Sequence, residues 1–270
     1  MVKDKRLSDQ QIDHYRKEGY VIYDQPVFSG DKFNSLKQHF ESKLAEWPKD
    51  ERPEAMDTPH FGDPKLNEWA LAPEVVDIVE PLLGPDIILF STHFICKPQG
   101  DGRRVPWHED SAYWRKLLDP MEVVTVWLAI DESTVDNGCM YVIPRSHNTG
   151  RMGFSDYEEV DTRKSVFGTE IIPTQRKDEL AVPCELQQNY CSLHDARTQH
   201  GSPPNTSTKR RCGWTLRFIP ATTRLAPQFV DKQLMYLARG KNVLNQPLAD
   251  PAKDYSDVLE KRRREGFKAH

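Results

Sequence analysis

The stretch Val105-Pro-Trp-His-Glu-Asp-Ser-Ala-Tyr-Trp114 sets an imidazole and a carboxylate two positions apart, at His108 and Asp110. On an extended backbone such a pair points to one face and can grip a single ion. One imidazole and one carboxylate do not complete a metal site, so a third ligand must come from elsewhere in the chain. Two histidines near position 200 offer it, His194 in Leu193-His-Asp195 and His200 in Gln199-His-Gly-Ser202. Two imidazoles and a carboxylate on one face of an iron ion leave positions open for a chelating co-substrate and dioxygen. Taken alone, a His-x-Asp triplet is commonly a solvated surface feature, and a lone His beside a strand is commonly hydrogen-bonded structure. Here aromatic residues flank the triplet and a strand-like run follows it. Arg211, eleven positions after His200, adds a planar five-donor fork suited to two-pronged capture of a carboxylate.

The elements that must hold these residues follow from pattern. Ser8-Asp-Gln-Gln11 is a capping box and Gly19 a stop, so a helix spans about 9–18. Tyr20-Val-Ile-Tyr23 reads as a short strand. Phe33, Leu36, Phe40, Leu44 and Trp47 recur at helical spacing behind Ser29-Gly-Asp31, a helix with its stripe on a sheet. Residues 48–64, rich in Pro, Asp and Glu, read as a loop, and 72–83 as a short helix stopped by Gly84-Pro85. From Ile87 the texture becomes short apolar runs separated by Gly, Pro, Asn and Asp: 87–97, 105–109, 122–130, 139–143, 180–186, 189–194 and 211–219, with a further one near 170. Seven or eight successive strands suggest a mainly β fold with flanking helices, a double-sheet jelly roll. Asp136-Asn-Gly138 fits a tight turn, hence scaffold. The polar segment 151–178 has the length of a lid over a site.

At 270 residues and 31.2 kDa, with no Gly/Ser-rich linker, the chain is read as one domain. Its parts are a helical stretch over 1–84, a β core over 85–220 and a helical tail over 221–270. A net charge of -4 with 29% charged residues asks for neither nucleic acid nor membrane, and no apolar run is long enough to span a bilayer. A monomer or homodimer acting on a small molecule is expected. Five cysteines without a C-x-x-C pair, and no apolar leader after Met1-Val-Lys-Asp-Lys5, favour a reducing, cytoplasmic setting with the thiols as small hydrophobes. Lys261-Arg-Arg-Arg264, flanked by Glu260 and Glu265, reads as a solvated terminal helix.

Over about residues 8–240 the sequence resembles the phytanoyl-CoA dioxygenase-like branch of the iron(II) and 2-oxoglutarate-dependent oxygenases. The resemblance rests on Trp107-His-Glu-Asp110, Trp127 with its strand, Asp136-Asn-Gly-Cys-Met140, Ile143-Pro-Arg-Ser-His147, His200-Gly-Ser202 with Asn205 and Ser207, Arg211, and Ala238-Arg-Gly240. It implies a cupin-like double-stranded β-helix, and His108, Asp110 and His200 as the ligands of Fe(II). His194 then becomes a group supporting the ligands. The resemblance also implies that Arg211 binds the distal carboxylate of 2-oxoglutarate and that Ser202, Trp127 and, with its residue type changed, His93 contact the same co-substrate. Arg210 is the alternative anchor, but it alternates with Cys212, Trp214, Leu216 and Phe218, whereas Arg211 shares a face with Gly213 and Thr215, small residues that leave room for a ligand. Because Asp110 is a carboxylate, the expected outcome is hydroxylation with O2, releasing succinate and carbon dioxide, rather than halogenation. Glu109, Tyr113, Trp114, Arg103 and Arg104 sit beside the triplet as a possible substrate mouth. Two rival readings are a catalytically silent metal-binding jelly roll and a cupin-type metalloenzyme without 2-oxoglutarate. Neither would need Arg211.

Overall fold

The computed structural model describes residues 6–148 and 155–267. Helix α1 (Asp9–Glu18) begins where the Ser8 hydroxyl accepts the Gln11 amide and the Gln11 side chain accepts the Ser8 amide; it stops at Gly19, whose φ of 85° a side chain would resist. Strand β1 (Tyr20–Tyr23) follows, then α2 (Gly30–Ala45), which buries Phe33, Leu36 and Phe40, with Leu44 and Trp47 partly buried on the same core. The short α3 (Asn67–Ala70) leads into α4 (Pro73–Leu83), opened by a proline whose missing amide costs nothing in a first turn. The stretch 48–64 is not all loop: β2 (Met56–Asp57) pairs with Phe94 and His93. Two residues give no alternation to read.

The remaining strands are β3 (Ile87–Lys97), β4 (Val105–His108), β5 (Leu118–Asp119), β6 (Val124–Ala129), β7 (Met140–Val142), β8 (Tyr157–Glu159), β9 (Thr169–Ile171), β10 (Val182–Cys184), β11 (Cys191–Asp195), β12 (His200–Ser202), β13 (Arg211–Pro220), β14 (Arg224–Leu225) and β15 (Tyr236–Arg239). The larger sheet runs β1-β11-β6-β13-β3-β15, with β2 also on β3; the smaller runs β10-β7-β12-β4. Together they form the jelly roll that the strand count suggests.

Both faces of the larger sheet are covered, so β3 and β13 are buried at every position. The alternation survives as two kinds of interior. One face, with Phe94, Cys96, Val126, Leu128, Leu193, Cys212, Trp214 and Leu216, packs against α2 and α4 in the main core. The other face turns Lys97, Thr125, Trp127, His194, Arg211, Gly213, Thr215 and Arg217 toward the smaller sheet. That polar face carries the site.

The tail differs from a helical one. β15 pairs antiparallel with β3, Tyr236 is fully buried, and among the described residues of the tail α6 (Ser256–Arg264) is the one α-helix, with a single 3-10 turn at Pro227–Phe229. Nor is α6 solvated throughout, since Arg262 is 3% exposed and donates to Thr58 Oγ1 at 2.8 Å and Asp57 Oδ2 at 2.9 Å. A cation spaced for a water-facing stripe is instead captured by the acidic 48–64 segment. All five cysteines are free and buried, as small hydrophobes would be. No helix among the described residues is long and apolar enough to cross a membrane.

Candidate metal centre

Strands β4 and β12 run antiparallel with His200 opposite His108, which brings the rings to 4.1 Å between centroids. Asp110 does not lie on an extended strand with His108, as the two-residue spacing suggested. It opens the short helix α5 (Asp110–Trp114), while Glu109 stays extended and so keeps Asp110 on the His108 side. One ligand atom from each of His108, Asp110 and His200 lies within 4.8 Å of the other two, and all three residues are buried.

Hydrogen bonds orient each ligand atom. His108 Nδ1 is 2.8 Å from the Pro106 carbonyl oxygen and His200 Nδ1 is 2.9 Å from that of Thr198. A carbonyl only accepts, so both Nδ1 atoms carry hydrogen and both Nε2 atoms present lone pairs. Asp110 Oδ2 accepts the Thr125 hydroxyl at 3.1 Å and lies 3.6 Å from Arg217 Nε, while Oδ1 faces His108 Nε2 at 3.8 Å. Burial pushes His108 down to about 4 against the pull of Asp110, and burial with the neighbouring imidazoles pushes His200 well below its ordinary value. Burial alone would raise Asp110, but the Arg217 guanidinium and the imidazoles outweigh it and hold the carboxyl well below the usual range. Two neutral imidazole nitrogens and one carboxylate oxygen on one face is a donor set that fits iron(II). His194 lies beside it, its ring 4.5 Å from that of His200 and Nε2 3.7 Å from Asp110 Oδ2, and neither nitrogen has a hydrogen-bond partner among the described residues.

These residues line a narrow cavity of about 20 Å³ that also includes Trp127, Ser202, Arg211, Thr215, Arg217 and Phe167. Its far end is cationic. Arg211 is 1% exposed; its Nε and Nη2 donate to the Gly138 carbonyl at 3.0 and 2.8 Å, and Nη2 also reaches Ser202 Oγ at 3.1 Å. Its Nε edge is therefore held by the Asp136-Asn-Gly138 turn, which the sequence marked only as scaffold. Lys97, fully buried opposite Arg211, donates to the same Ser202 Oγ at 2.6 Å and to the Pro203 carbonyl at 2.5 Å. Neither cation forms an ion pair among the described residues. Burial first and Arg211 next push Lys97 well below its usual range, and burial pushes Arg211 down to about 10. The room beside Gly213 is not left for a ligand: the Trp127 ring fills it, with ring carbons 2.0 to 2.4 Å from where a Cβ would stand, and Arg211 lies 5.4 Å from that ring's centre.

Other expected site residues fall elsewhere. His93 is fully buried with Nε2 2.9 Å from the Glu54 carbonyl and does not line the cavity, so its assignment as a co-substrate contact is corrected. Trp114 is core, fully buried against Phe90 and beneath Arg217. Glu109 accepts the Ser155 hydroxyl and amide, Arg104 pairs with Glu170, and Arg103 faces Glu54, so each is engaged by a neighbouring segment; Arg104 also lines an open cleft with Trp107, Gly201 and Ser202. Tyr113 alone stays beside His108, ring centres 6.0 Å apart. Arg210 points the other way, to Asp131 and Glu41. The described part of 151–178 does cover the site: Phe167 meets the His108 ring edge-on at 4.9 Å, and Glu170 ties Arg104, Arg176 and the Trp107 amide together. Residues 151–154 lie outside the described residues. Sequence reasoning missed Lys97, Thr125, Arg217 and Phe167. The two-residue phase of Arg211, Gly213 and Thr215 extends to Arg217 and could have found it; a lysine ending a strand carries no such signal.

Comparison with known proteins places this geometry in a lineage. A protein from Dictyostelium discoideum named phytanoyl-CoA dioxygenase domain-containing protein 1 homolog is 28% identical over 162 residues, 59% of this chain and 56% of that one. The probable alpha-ketoglutarate-dependent hypophosphite dioxygenase of Stutzerimonas stutzeri is 30% identical over 161 residues, 58% of this chain and 53% of that one. The chain thus spans little more than half the length of these relatives. Among solved structures, the apo form of the non-heme monooxygenase ThoJ shares the fold, with a TM-score of 0.71, 23% identity and 94% of each chain covered. The model of the family described as phytanoyl-CoA dioxygenase (PhyH) matches residues 7–213, and the chain belongs to that family.

Proposed function

We propose that this protein is an Fe(II)- and 2-oxoglutarate-dependent dioxygenase, one oxygenase domain that hydroxylates an unactivated C–H bond of a small organic metabolite, anions included. The observation that carries the reading is the pairing, in one cavity, of a His108–Asp110–His200 donor face with a carboxylate-free cationic end at Arg211. His108 and His200 would hold iron through Nε2 and Asp110 through Oδ1, each fixed by its own hydrogen bond. The bound iron supplies the redox chemistry that couples oxidative decarboxylation of 2-oxoglutarate, with release of succinate and carbon dioxide, to oxidation of the substrate by O2. The protein orients the reactants. Arg211 and Ser202 receive the distal carboxylate, Trp127 walls it, and Phe167 with Val105 and Ile95 keeps water from the donor face. Thr125 and Arg217 occupy Asp110 Oδ2 and so leave Oδ1 to the metal. The relative named as a hypophosphite dioxygenase supports a small anion among the substrates to try first.

The test is anaerobic addition of iron(II) and then 2-oxoglutarate. A visible charge-transfer band that saturates at one equivalent of each is the expected result. Iron binding without any band on 2-oxoglutarate addition would favour a metalloenzyme that uses no oxo-acid.

A further inference from the structure

The cationic end of the cavity contains a proton-counting constraint. A serine hydroxyl has two acceptor lone pairs and one donor hydrogen. Ser202 Oγ is approached by Lys97 Nζ at 2.6 Å and by Arg211 Nη2 at 3.1 Å. A guanidinium has only donors, and so has an ammonium. Both lone pairs are therefore taken, and the hydrogen must point away from both cations. Among the described residues it has no acceptor, and Ser202 lines the cavity.

We propose that Lys97 is a positioning residue that acts through Ser202, fixing the hydroxyl so that it donates its hydrogen to the far carboxylate of a diacid held beside Arg211. The inference rests on the oxygenase reading above and goes further in naming a residue and the direction of a hydrogen bond. Two buried cations side by side repel each other and lose hydration, a cost that an incoming carboxylate offsets. Such an anion also strengthens the hold of Lys97 on its proton against the burial that opposes it. The ligand end so defined is a carboxylate that accepts from Ser202 and from Arg211 at once, backed by a second positive charge that need not touch it. Lys97 discriminates for the second acid group, since a 2-oxo acid without one presents nothing for the oriented hydroxyl to meet.

The experiment measures calorimetric affinity of Mn(II)-loaded protein, without oxygen, for 2-oxoglutarate and for 2-oxobutyrate, which lacks the far carboxylate. Lys97→Met and Ser202→Ala are each expected to weaken 2-oxoglutarate tenfold or more and to change 2-oxobutyrate less than twofold. The double variant is expected to fall within about twofold of Ser202→Ala alone, because Lys97 acts through that hydroxyl. Multiplicative losses in the double variant, equal losses on both acids, or an unchanged Lys97→Met would each overturn the proposal. If Lys97→Met does not fold, Ser202→Thr decides against Ser202→Ala: retention of the diacid preference in Thr and its loss in Ala support the proposal, and retention in both sinks it. A wild-type protein that binds 2-oxobutyrate and 2-oxoglutarate equally refutes the inference alone, whereas one that binds metal but neither acid refutes the oxygenase reading itself.

Discussion

At the scale of single residues, the donor face depends on which histidine presents Nε2 with its Nδ1 held by a backbone carbonyl, as His200 does and His194 does not. His200→Ala is expected to abolish stoichiometric iron binding in equilibrium dialysis, while His194→Ala retains it; the reverse pattern would move the ligand to His194. The adjacent arginines divide in the same way. Arg211→Ala leaves the distal carboxylate unpaired in a desolvated pocket, at about 2 to 5 kcal/mol, a loss of roughly thirtyfold or more in 2-oxoglutarate affinity. Arg211→Lys is expected to recover only part of it. Arg210→Ala removes contacts to Asp131 and Glu41 and is expected to lower stability by about 1 kcal/mol with co-substrate affinity unchanged. Equal affinity losses in the two alanine variants would contradict the facing of β13. This division was legible before any coordinates, because one step along a strand reverses a side chain. Lys97 was not legible. Its function depends on Ser202 and Arg211, which only the pairing of β3 with β13 and the return of β12 bring together.

At the scale of elements, the long apolar runs announced β3, β6 and β13, and the capping box announced α1. Three-residue strands such as β8 and β12 did not announce themselves, since a period of two needs more than one repeat to be seen. The tail was misjudged for a related reason: Tyr236-Leu-Ala-Arg239 is too short to signal a strand and lies between polar segments. The same limit hid what Gly213 is for. It lets the indole of Trp127 cross β13, so Gly213→Ala must push that ring aside or shift the strand. A loss of about 1 to 3 kcal/mol in denaturant unfolding is expected, as for other overpacked interiors, together with weaker 2-oxoglutarate binding. A variant with wild-type stability and affinity would mean that the ring is held from elsewhere.

At the scale of the whole molecule, stability should be sensitive to mild acid. His60 and His108 are pushed down to about 3 and about 4, and His200 well below its ordinary value, all chiefly by burial. In the unfolded chain they take up protons near pH 6.5. In metal-free protein these histidines are therefore expected to cost nothing above that value and to lower stability as pH falls toward 4, where the unfolded chain binds protons that the folded one refuses. Below the folded values both states are protonated and these groups cost nothing more. Urea midpoints at pH 8, 7, 6 and 5 check this, and a midpoint unchanged down to pH 5 would refute it. The five buried thiols have a separate use. Because each is shielded by packing rather than by a disulfide, a thiol-specific dye gains access only as fast as the molecule opens. Cys96, Cys191 and Cys212 lie in the main core, and Cys139 and Cys184 beside the smaller sheet, so their labelling rates separate global opening from loosening around the cavity. The protein thereby carries a built-in chemical clock, on which the tightening produced by any bound metabolite can be timed before that metabolite's chemistry is known.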